Sequence, residues 1–371
     1  MALASACGVL PEGWLYTTRV APTAATVVWT LAAEATVACR DAQNRVVEAA
    51  THGTASGPRW ARLEGLTPDT PYRCELRSTA LAKPRRFRFR TAALPGTPFR
   101  FAVVGDTGDF SPEARALPRR ILAGHPAFLV HVGDLAYPHG TALQLDRRFF
   151  RAYRRLLERV PLFPAPGNHD LLRSSAYRTV FGPAAAGGED DLRYAWSWGD
   201  AGFVSLDTPG VAAGGGGLAW TAAALASFAP SAWRIAAVHE PPFSPGVKGI
   251  KEGLRRTLEP ILERGGVALL LTGHEHLYAR TDPVCEVVPE ARVVEVITGG
   301  GGGASLDQPV PQPKFATVLS TTHYVLVHVD AKRIVLRAIG LDGRVLDRAR
   351  LVRGAATPCR QGRWRLGKPP T

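Results

Sequence analysis

The 371-residue chain has few lysines, fewer acidic than basic residues and no long apolar run. No stretch approaches the roughly 18 consecutive apolar residues of a membrane-spanning helix, so the sequence predicts no transmembrane segment. Because 46% of its residues are apolar, the chain is not of the intrinsically disordered type. Its length is enough for two domains with separate cores.

The formal charge of +13 at pH 7 comes almost wholly from arginine. The arginines are spread through the chain, and no nucleic-acid-binding motif with interleaved aromatic residues appears. We therefore interpret the arginine content as a general bias in composition and expect no nucleic-acid partner. A positive field of this kind would favour the capture of small anions.

The five cysteines form an odd set. Setting Cys7 aside leaves Cys39 with Cys74, in neighbouring strand-like segments, and Cys285 with Cys359, outside regular structure. Disulfides at these pairs would imply an oxidising compartment, whereas buried reduced thiols are the alternative. For Cys39 and Cys74 the sequence leaves both interpretations open.

The first residues leave a second question open. Met1 to Cys7 lacks the basic start and apolar stretch of a signal peptide. Residues 3–8 loosely resemble the end of a bacterial lipoprotein signal, whose cysteine would carry a lipid anchor at Cys7. On that interpretation the true start would lie upstream of Met1. The alternative is an unpaired Cys7 in a frayed terminus.

Residues 1–93 show the alternating pattern of a small all-β sandwich domain, followed by a linker at 94–98. The segment 66–72, Leu-Thr-Pro-Asp-Thr-Pro-Tyr, resembles the tyrosine corner of fibronectin type III domains, and Trp29 is expected in the core. A structural spacer or a homodimer-forming unit is favoured over a binding module. The predicted strands are 25–31, 35–40, 45–50, 59–63, 72–78 and 86–90.

Five later segments each place metal-ligand side chains at the end of an apolar, strand-like run. Stretches long enough for helices separate the first three, which is the rhythm of an α/β domain. In open sheets of this kind, ligands gather beyond the carboxyl ends of the strands, so we expect the segments to converge. They are GDTG at 105–108, GDLAY at 133–137, GNHD at 167–170, VHEPPF at 238–243 and GHEH at 273–276.

The side chains in these segments suit a pair of metal ions. Two cations about 3.5–4 Å apart need a bridging anion, and Asp134 is the obvious bridge. The phenolate of Tyr137 is a hard, anionic donor suited to a trivalent ion. Asn168, His239 and His274 offer neutral donors suited to a divalent ion.

The ordered set resembles the calcineurin-like metallophosphoesterases and, within them, the purple acid phosphatases. That pattern runs GDxG, GDxxY, GNH(D/E), a strand-end histidine and GHxH. Gly108 stands where the wider superfamily has a histidine, and Tyr137 supplies a phenol instead, as in the purple branch. Residues 276–283 and the glycine-rich segment 297–303 extend the resemblance, which covers roughly residues 97–352.

The resemblance implies a ferric ion paired with a divalent Zn²⁺, Mn²⁺ or Fe²⁺. It places the metal ligands in two groups that share one carboxylate. The ferric group is Asp106, Asp134, Tyr137 and His276, and the divalent group is Asp134, Asn168, His239 and His274.

Three further residues are expected to be catalytic. By resemblance, His169 contacts the substrate phosphate or protonates the leaving oxygen, and Asp170 is expected to orient it. Lys248 stands where many of these phosphatases have a second substrate-side histidine. Because lysine holds phosphate as a point charge, we expect Lys248 to bind the phosphate group while His169 acts as the acid.

The resemblance implies a four-layer α/β/β/α sandwich at 99–352, followed by a tail at 353–371. It implies a phosphatase whose substrates are small, anionic phosphate monoesters. Hydrolysis would proceed by attack of a metal-bound hydroxide. Phosphodiesterase or nucleotidase activity on the same site is one alternative. A surface binding protein with a vestigial phosphatase domain is another. Because such proteins are usually exported, we expect a periplasmic, cell-surface or secreted location.

Overall fold

The protein is described here by a computed structural model that covers residues 11–354, apart from 12, 32, 54–56, 110, 173–174, 183–191, 213, 215, 304–305 and 311–313. The predicted lipidation site at Cys7, the cysteine at 359 and nearly all of the predicted tail lie outside these residues. The helices of this part are α1 (Pro112–Ala123), α2 (Ala142–Gln144), a π-helical segment (Leu145–Phe150), α3 (Arg151–Leu157), α4 (Asn168–Leu171), α5 (Ala176–Phe181), α6 (Thr208–Ala212), α7 (Gly216–Ser227) and α8 (Glu252–Arg264).

Strands dominate the N-terminal region and alternate with helices after it. None of the described helices is both long and apolar enough to cross a membrane. The strands are β1 (Leu15–Thr18), β2 (Ala24–Trp29), β3 (Ala35–Arg40), β4 (Val46–Ala49), β5 (Thr51–Gly53), β6 (Arg59–Glu64), β7 (Pro71–Ser78), β8 (Arg85–Arg90), β9 (Phe99–Val104), β10 (Leu129–His131), β11 (Leu162–Pro164), β12 (Tyr194–Trp198), β13 (Ala201–Ser205), β14 (Trp233–Ala237), β15 (Val267–Thr272), β16 (Tyr278–Thr281), β17 (Val294–Thr298), β18 (Phe315–Leu319), β19 (His323–Val329), β20 (Arg333–Gly340) and β21 (Val345–Val352).

The N-terminal region is an all-β pair of antiparallel sheets, ordered β1-β2-β6-β5 and β4-β3-β7-β8. The predicted all-β character is confirmed, and the six predicted strands match β2, β3, β4, β6, β7 and β8. Strands β1 and β5 were not predicted. The alternation rule does not find β1 because all four of its residues are buried. Strand β5 is only three residues long and ends in glycine.

A disulfide joins Cys39 to Cys74 inside this region. The two residues lie directly opposite each other in the register of β3 and β7, and both are buried between the sheets. The open question about this pair is therefore settled in favour of the bond. Cys285 is also disulfide-bonded, whereas Cys359, its predicted partner, lies outside the described residues.

The rest of the chain forms two mixed sheets, ordered β11-β10-β9-β19-β20-β21 and β12-β13-β14-β15-β17-β16-β18. Their inner faces meet in one core, where Phe101 and Phe128 pack edge-on against Phe203 of the other sheet. The alternate residues Ala102 and Val104 face outward against helices α1 and α3. Helices α7 and α8 cover the outer face of the second sheet. The predicted four-layer α/β/β/α sandwich is confirmed.

The N-terminal region is joined to the sandwich by direct packing. Trp14 stacks on Phe150 with ring centres 4.3 Å apart, and its indole Nε1 donates to Asp146 Oδ1 at 3.0 Å. Tyr16 donates its hydroxyl to the carbonyl oxygen of Val180 at 2.8 Å. The predicted domain boundaries and the predicted homodimer stay predictions.

Candidate metal centre

The five predicted segments meet at one edge of the two facing sheets. Asp106 follows β9, Asp134 follows β10 and Asn168 follows β11, all at the carboxyl ends of parallel strands. From the second sheet, His239 follows β14 and His274 follows β15. Because both sheets direct their carboxyl ends to the same edge, residues far apart in sequence share one small volume.

One half of this volume is formed by Asp106, Tyr137 and His276. The Tyr137 hydroxyl lies 3.0 Å from Asp106 Oδ1 and 2.9 Å from His276 Nε2. Asp106 is fully buried, and its second oxygen accepts the backbone N–H of His274 at 2.9 Å. Three of the four side chains of the predicted ferric group, all except Asp134, are therefore in mutual contact.

The other half is formed around Asn168. Its Oδ1 lies 3.0 Å from His239 Nε2 and 3.0 Å from His274 Nδ1. His239 donates its Nδ1–H to the carbonyl oxygen of Val132, which leaves Nε2 facing the centre. Asp134 lies between the halves, with Oδ2 at 3.5 Å from His239 Nε2. Ligand atoms of Asp106, Asp134 and His239 all lie within 4.8 Å of one another.

Three of these residues have a backbone conformation that side chains rarely adopt. The φ angles of Asp106, Asp134 and His274 are +57°, +56° and +69°, in the left-handed region. Such strain persists only where the surrounding structure holds it. Here each residue follows a buried strand and must turn at once to present its side chain at the sheet edge.

Two glycines let the loops approach closely enough. A Cβ atom on Gly167 would lie 2.1 Å from Asp134 Oδ1, and one on Gly133, where φ is +99°, would lie 2.6 Å from His239 Nδ1. Any larger residue at these positions would displace a proposed ligand.

The buried carboxylates strongly favour positive charge on neighbouring groups. Burial alone would lower the pKa of His239, but the carboxylates of Asp134 and Asp106 outweigh it and raise the pKa to about 10. Burial, His239 and Lys248 lower the pKa of His274 to about 2. Burial and the carboxylates of Asp106 and Asp134 raise the pKa of Tyr137 well above its usual value.

The donor set fits a pair of metal ions. Asn168 Oδ1 and the imidazole nitrogens of His239 and His274 are close neighbours that can all present lone pairs inward, an arrangement that a cation satisfies. Asp106 and Asp134 add buried anionic oxygens. Among the described residues, no other group of three or more such side chains has this proximity.

Comparison with known proteins identifies the domain. Residues 99–278 match the family model of the calcineurin-like phosphoesterases. These residues form a calcineurin-like phosphoesterase domain. The activity class that this family and the centre support is hydrolysis of phosphoric esters.

Similar proteins agree with this assignment. The chain is 27% identical over 327 residues to acid phosphatase type 7 of Homo sapiens, covering 76% of this chain and 73% of that protein. It is 25% identical over 283 residues to purple acid phosphatase 23 of Arabidopsis thaliana, covering 65% and 61%. The solved structure of a purple acid phosphatase from yellow lupin seeds shares the fold, with a TM-score of 0.80 and 19% identity over 93% of this chain and 75% of that one.

In this phosphoesterase domain His169 lies at the rim of the centre. Its Nδ1 donates to the carbonyl oxygen of Pro138 at 2.7 Å, and its ring packs edge-on against Tyr137. Its backbone N–H donates to Asp134 Oδ1 at 3.0 Å. The imidazole is thus anchored through one nitrogen beside the proposed ligands.

Asp170 has a different partner from the expected one. Its Oδ2 accepts the backbone N–H groups of Asp134 at 2.8 Å and Gly167 at 2.9 Å, and its Oδ1 accepts that of Leu135 at 3.0 Å. Burial and the nearby Asp134 raise its pKa to about 8. The expectation that Asp170 orients the His169 imidazole is therefore corrected, because its oxygens hold the two ligand loops together instead.

Lys248 lies beside the centre and contacts a residue that sequence reasoning missed. Its ammonium group donates to the carbonyl oxygen of His274 and lies 3.7 Å from Asp307 Oδ2. The same Asp307 oxygen accepts the backbone N–H of His276 at 2.7 Å. Asp307 lies in a loop without periodicity or motif, so no sequence signal could have identified it.

Proposed function

We propose that this phosphoric ester hydrolase is a dinuclear-metal phosphatase acting on phosphate monoesters. The observation that best supports this proposal is the position of Asp134, whose carboxylate lies within 4.8 Å of ligand atoms from Asp106 and His239. A carboxylate so placed can serve two cations at once. The relatives named as acid and purple acid phosphatases support the same function.

We assign the ferric ion to Asp106, Asp134, Tyr137 and His276. The divalent ion, Zn²⁺, Mn²⁺ or Fe²⁺, is assigned to Asp134, Asn168, His239 and His274. When bound, the pair would acidify a water molecule and neutralise charge on the phosphate.

The side chains at the rim complete the proposal. His169, anchored through Nδ1, is assigned to protonate the leaving oxygen from Nε2. Lys248 is assigned to attract the phosphate dianion, because its ammonium is partly exposed next to His274. The carboxylate of Asp307 partly neutralises the ammonium charge and so weakens its attraction for the phosphate.

The proposed location is periplasmic, cell-surface or secreted. The Cys39–Cys74 disulfide supports it, because structural disulfides persist mainly in oxidising compartments. Non-reducing peptide mapping of protein from fractionated cells would test this.

Metal analysis combined with a visible spectrum tests the metal assignment. The wild-type protein should hold two metals per chain and show the charge-transfer band of a ferric tyrosinate. Tyr137→Phe should lose the band, whereas Tyr324→Phe, at a tyrosine of β19 against α1, should keep it. A colourless, manganese-filled wild-type protein would contradict the ferric assignment.

Kinetics test the bridge and the substrate class. Asp134→Asn should lose metal pairing and turnover together, and retained turnover with two bound metals would refute the bridging role. An aryl phosphate should be hydrolysed faster than a bis-aryl phosphate or a nucleotide. The opposite order would establish a diesterase or nucleotidase, and no turnover of any of them after iron loading would indicate a vestigial domain.

A further inference from the structure

A row of arginines crosses the outer face of the sheet β4-β3-β7-β8, away from the ligands described above. Arg40 on β3 lies directly opposite Arg73 on β7, and Arg73 lies directly opposite Arg88 on β8. All three are exposed, and their strand neighbours Cys39, Cys74 and Phe87 face the core. We call Arg40, Arg73 and Arg88 the arginine row.

Such a row is unfavourable on its own. Adjacent strands are about 4.8 Å apart, and like charges directly opposite each other destabilise a sheet. Among the described residues, the side chains of the arginine row have no ion pair or hydrogen bond. An anion that bridges neighbouring guanidinium groups would remove this repulsion.

The nearby carboxylates are mostly engaged elsewhere. Glu48 lines the same face without an ion pair to the described residues and offsets only one of the charges. The other carboxylates pair with arginines outside the row: Glu75 with Arg77 and Arg86, Glu158 with Arg85 and Arg154, and Asp41 with Arg45. The row therefore keeps an excess of positive charge.

The surface over the row is concave. Arg40, Arg73 and Arg88 line a cavity of about 590 Å³ and a neighbouring one of about 400 Å³. Arg159, just beyond the end of helix α3, lines both and adds a fourth guanidinium from the phosphoesterase side. The larger volume lies within the range of small-ligand sites, roughly 300–1,000 Å³.

We propose that the arginine row, with Arg159, binds a small soluble anion that carries two or more closely spaced phosphate groups. Guanidinium groups bind phosphate oxygens in pairs, and a row of them at strand spacing suits a condensed phosphate better than a single one. A concave site favours a small ligand over a flat membrane surface. This site is separate from the metal centre and does not depend on the proposed reaction.

Calorimetric titration with methylenediphosphonate, a diphosphate analogue that resists hydrolysis, tests the proposal. The test variant is Arg40→Gln/Arg73→Gln. The matched control is Arg337→Gln/Arg348→Gln, which removes another exposed, directly opposed arginine pair, from β20 and β21. Both variants lose the same charge at exposed positions, and thermal unfolding confirms that both are folded.

The wild type and the control variant should bind methylenediphosphonate with the same affinity. This affinity should fall at least tenfold in the test variant, and it should also fall when the salt concentration is raised. The kcat for hydrolysis of a small aryl phosphate should be equal in all three proteins. Identical titrations of the two double variants would overturn the site. Capture of the protein by phosphatidic acid vesicles, without diphosphonate binding, would assign the row to a membrane surface and also overturn the proposal.

Discussion

At the scale of single residues, the centre depends on groups that are not themselves proposed ligands. Asp170 accepts three backbone N–H groups from the loops that carry Asp134 and Asn168. Thr107, next to Asp106, is held at 2.9 Å by Nε2 of the buried His131, whose Nδ1 accepts the backbone N–H of Gly133. These contacts fix loops whose strained residues would otherwise relax.

Asp170→Ala should therefore lower stability strongly. It leaves three buried N–H groups without an acceptor, each costing about 1–3 kcal/mol, so we expect a loss of at least about 3 kcal/mol in the free energy of unfolding. Denaturant unfolding measures the effect. Asp170→Asn keeps one acceptor oxygen and should lose less, and an Ala variant as stable as the wild type would contradict this role.

Glu259 should make stability depend on pH. Burial, followed by the charges of Glu263 and Glu286, raises its pKa from 4.5 to about 8, although Lys314 and Arg255 oppose the shift. The folded protein thus keeps a proton that the unfolded chain releases above about pH 4.5. Stability should fall as pH rises from about 5 to 8, by at most about 5 kcal/mol.

Glu259→Gln should flatten this slope, because the amide cannot titrate. The exposed Glu290→Gln serves as the control and should keep the wild-type slope. Thermal unfolding across pH 5–8 measures both. Equal slopes in the two variants would show that another group is responsible.

At the scale of elements, the strand β1 links the two parts of the molecule. It is hydrogen-bonded to β2, while the flanking Trp14 and its own Tyr16 pack on Phe150 and Phe181 of the phosphoesterase side. The carboxylate of Asp146 receives the Trp14 indole and also pairs with Arg151 at 2.7 Å. The N-terminal region is therefore held against the sandwich by a buried aromatic joint.

Trp14→Ala should open this joint. Removing a buried tryptophan typically costs about 3–5 kcal/mol, and the loss should appear as faster amide exchange in β1 and the π-helical segment. Trp220→Ala, at a half-buried tryptophan of α7, should leave exchange in β1 unchanged. Unchanged exchange in the Trp14 variant would show that the two parts are held together elsewhere.

At the scale of the whole molecule, the net charge of +13 should assist the proposed reaction. A positive field raises the encounter rate of anions, and salt screens it. For a dianionic aryl phosphate, kcat/KM should fall several-fold between low and high salt while kcat changes little. A zwitterionic phosphate ester should show a weaker effect, and equal salt dependence for both esters would contradict steering.

The sequence by itself determined the proposed ligand types, their order and the α/β rhythm, because each motif ends an apolar, strand-like run. The four-layer arrangement was implied by the family resemblance that these motifs carry. The sequence also located most N-terminal strands, since alternation and turn residues are local signals. Tertiary structure alone decided that Asp170 holds backbone rather than His169, that Asp307 reaches His276, and that β1 belongs to the joint. It also decided that Asp106, Asp134 and His274 adopt strained backbones. These features depend on which particular atoms of distant segments come into contact, and no local sequence pattern encodes those contacts.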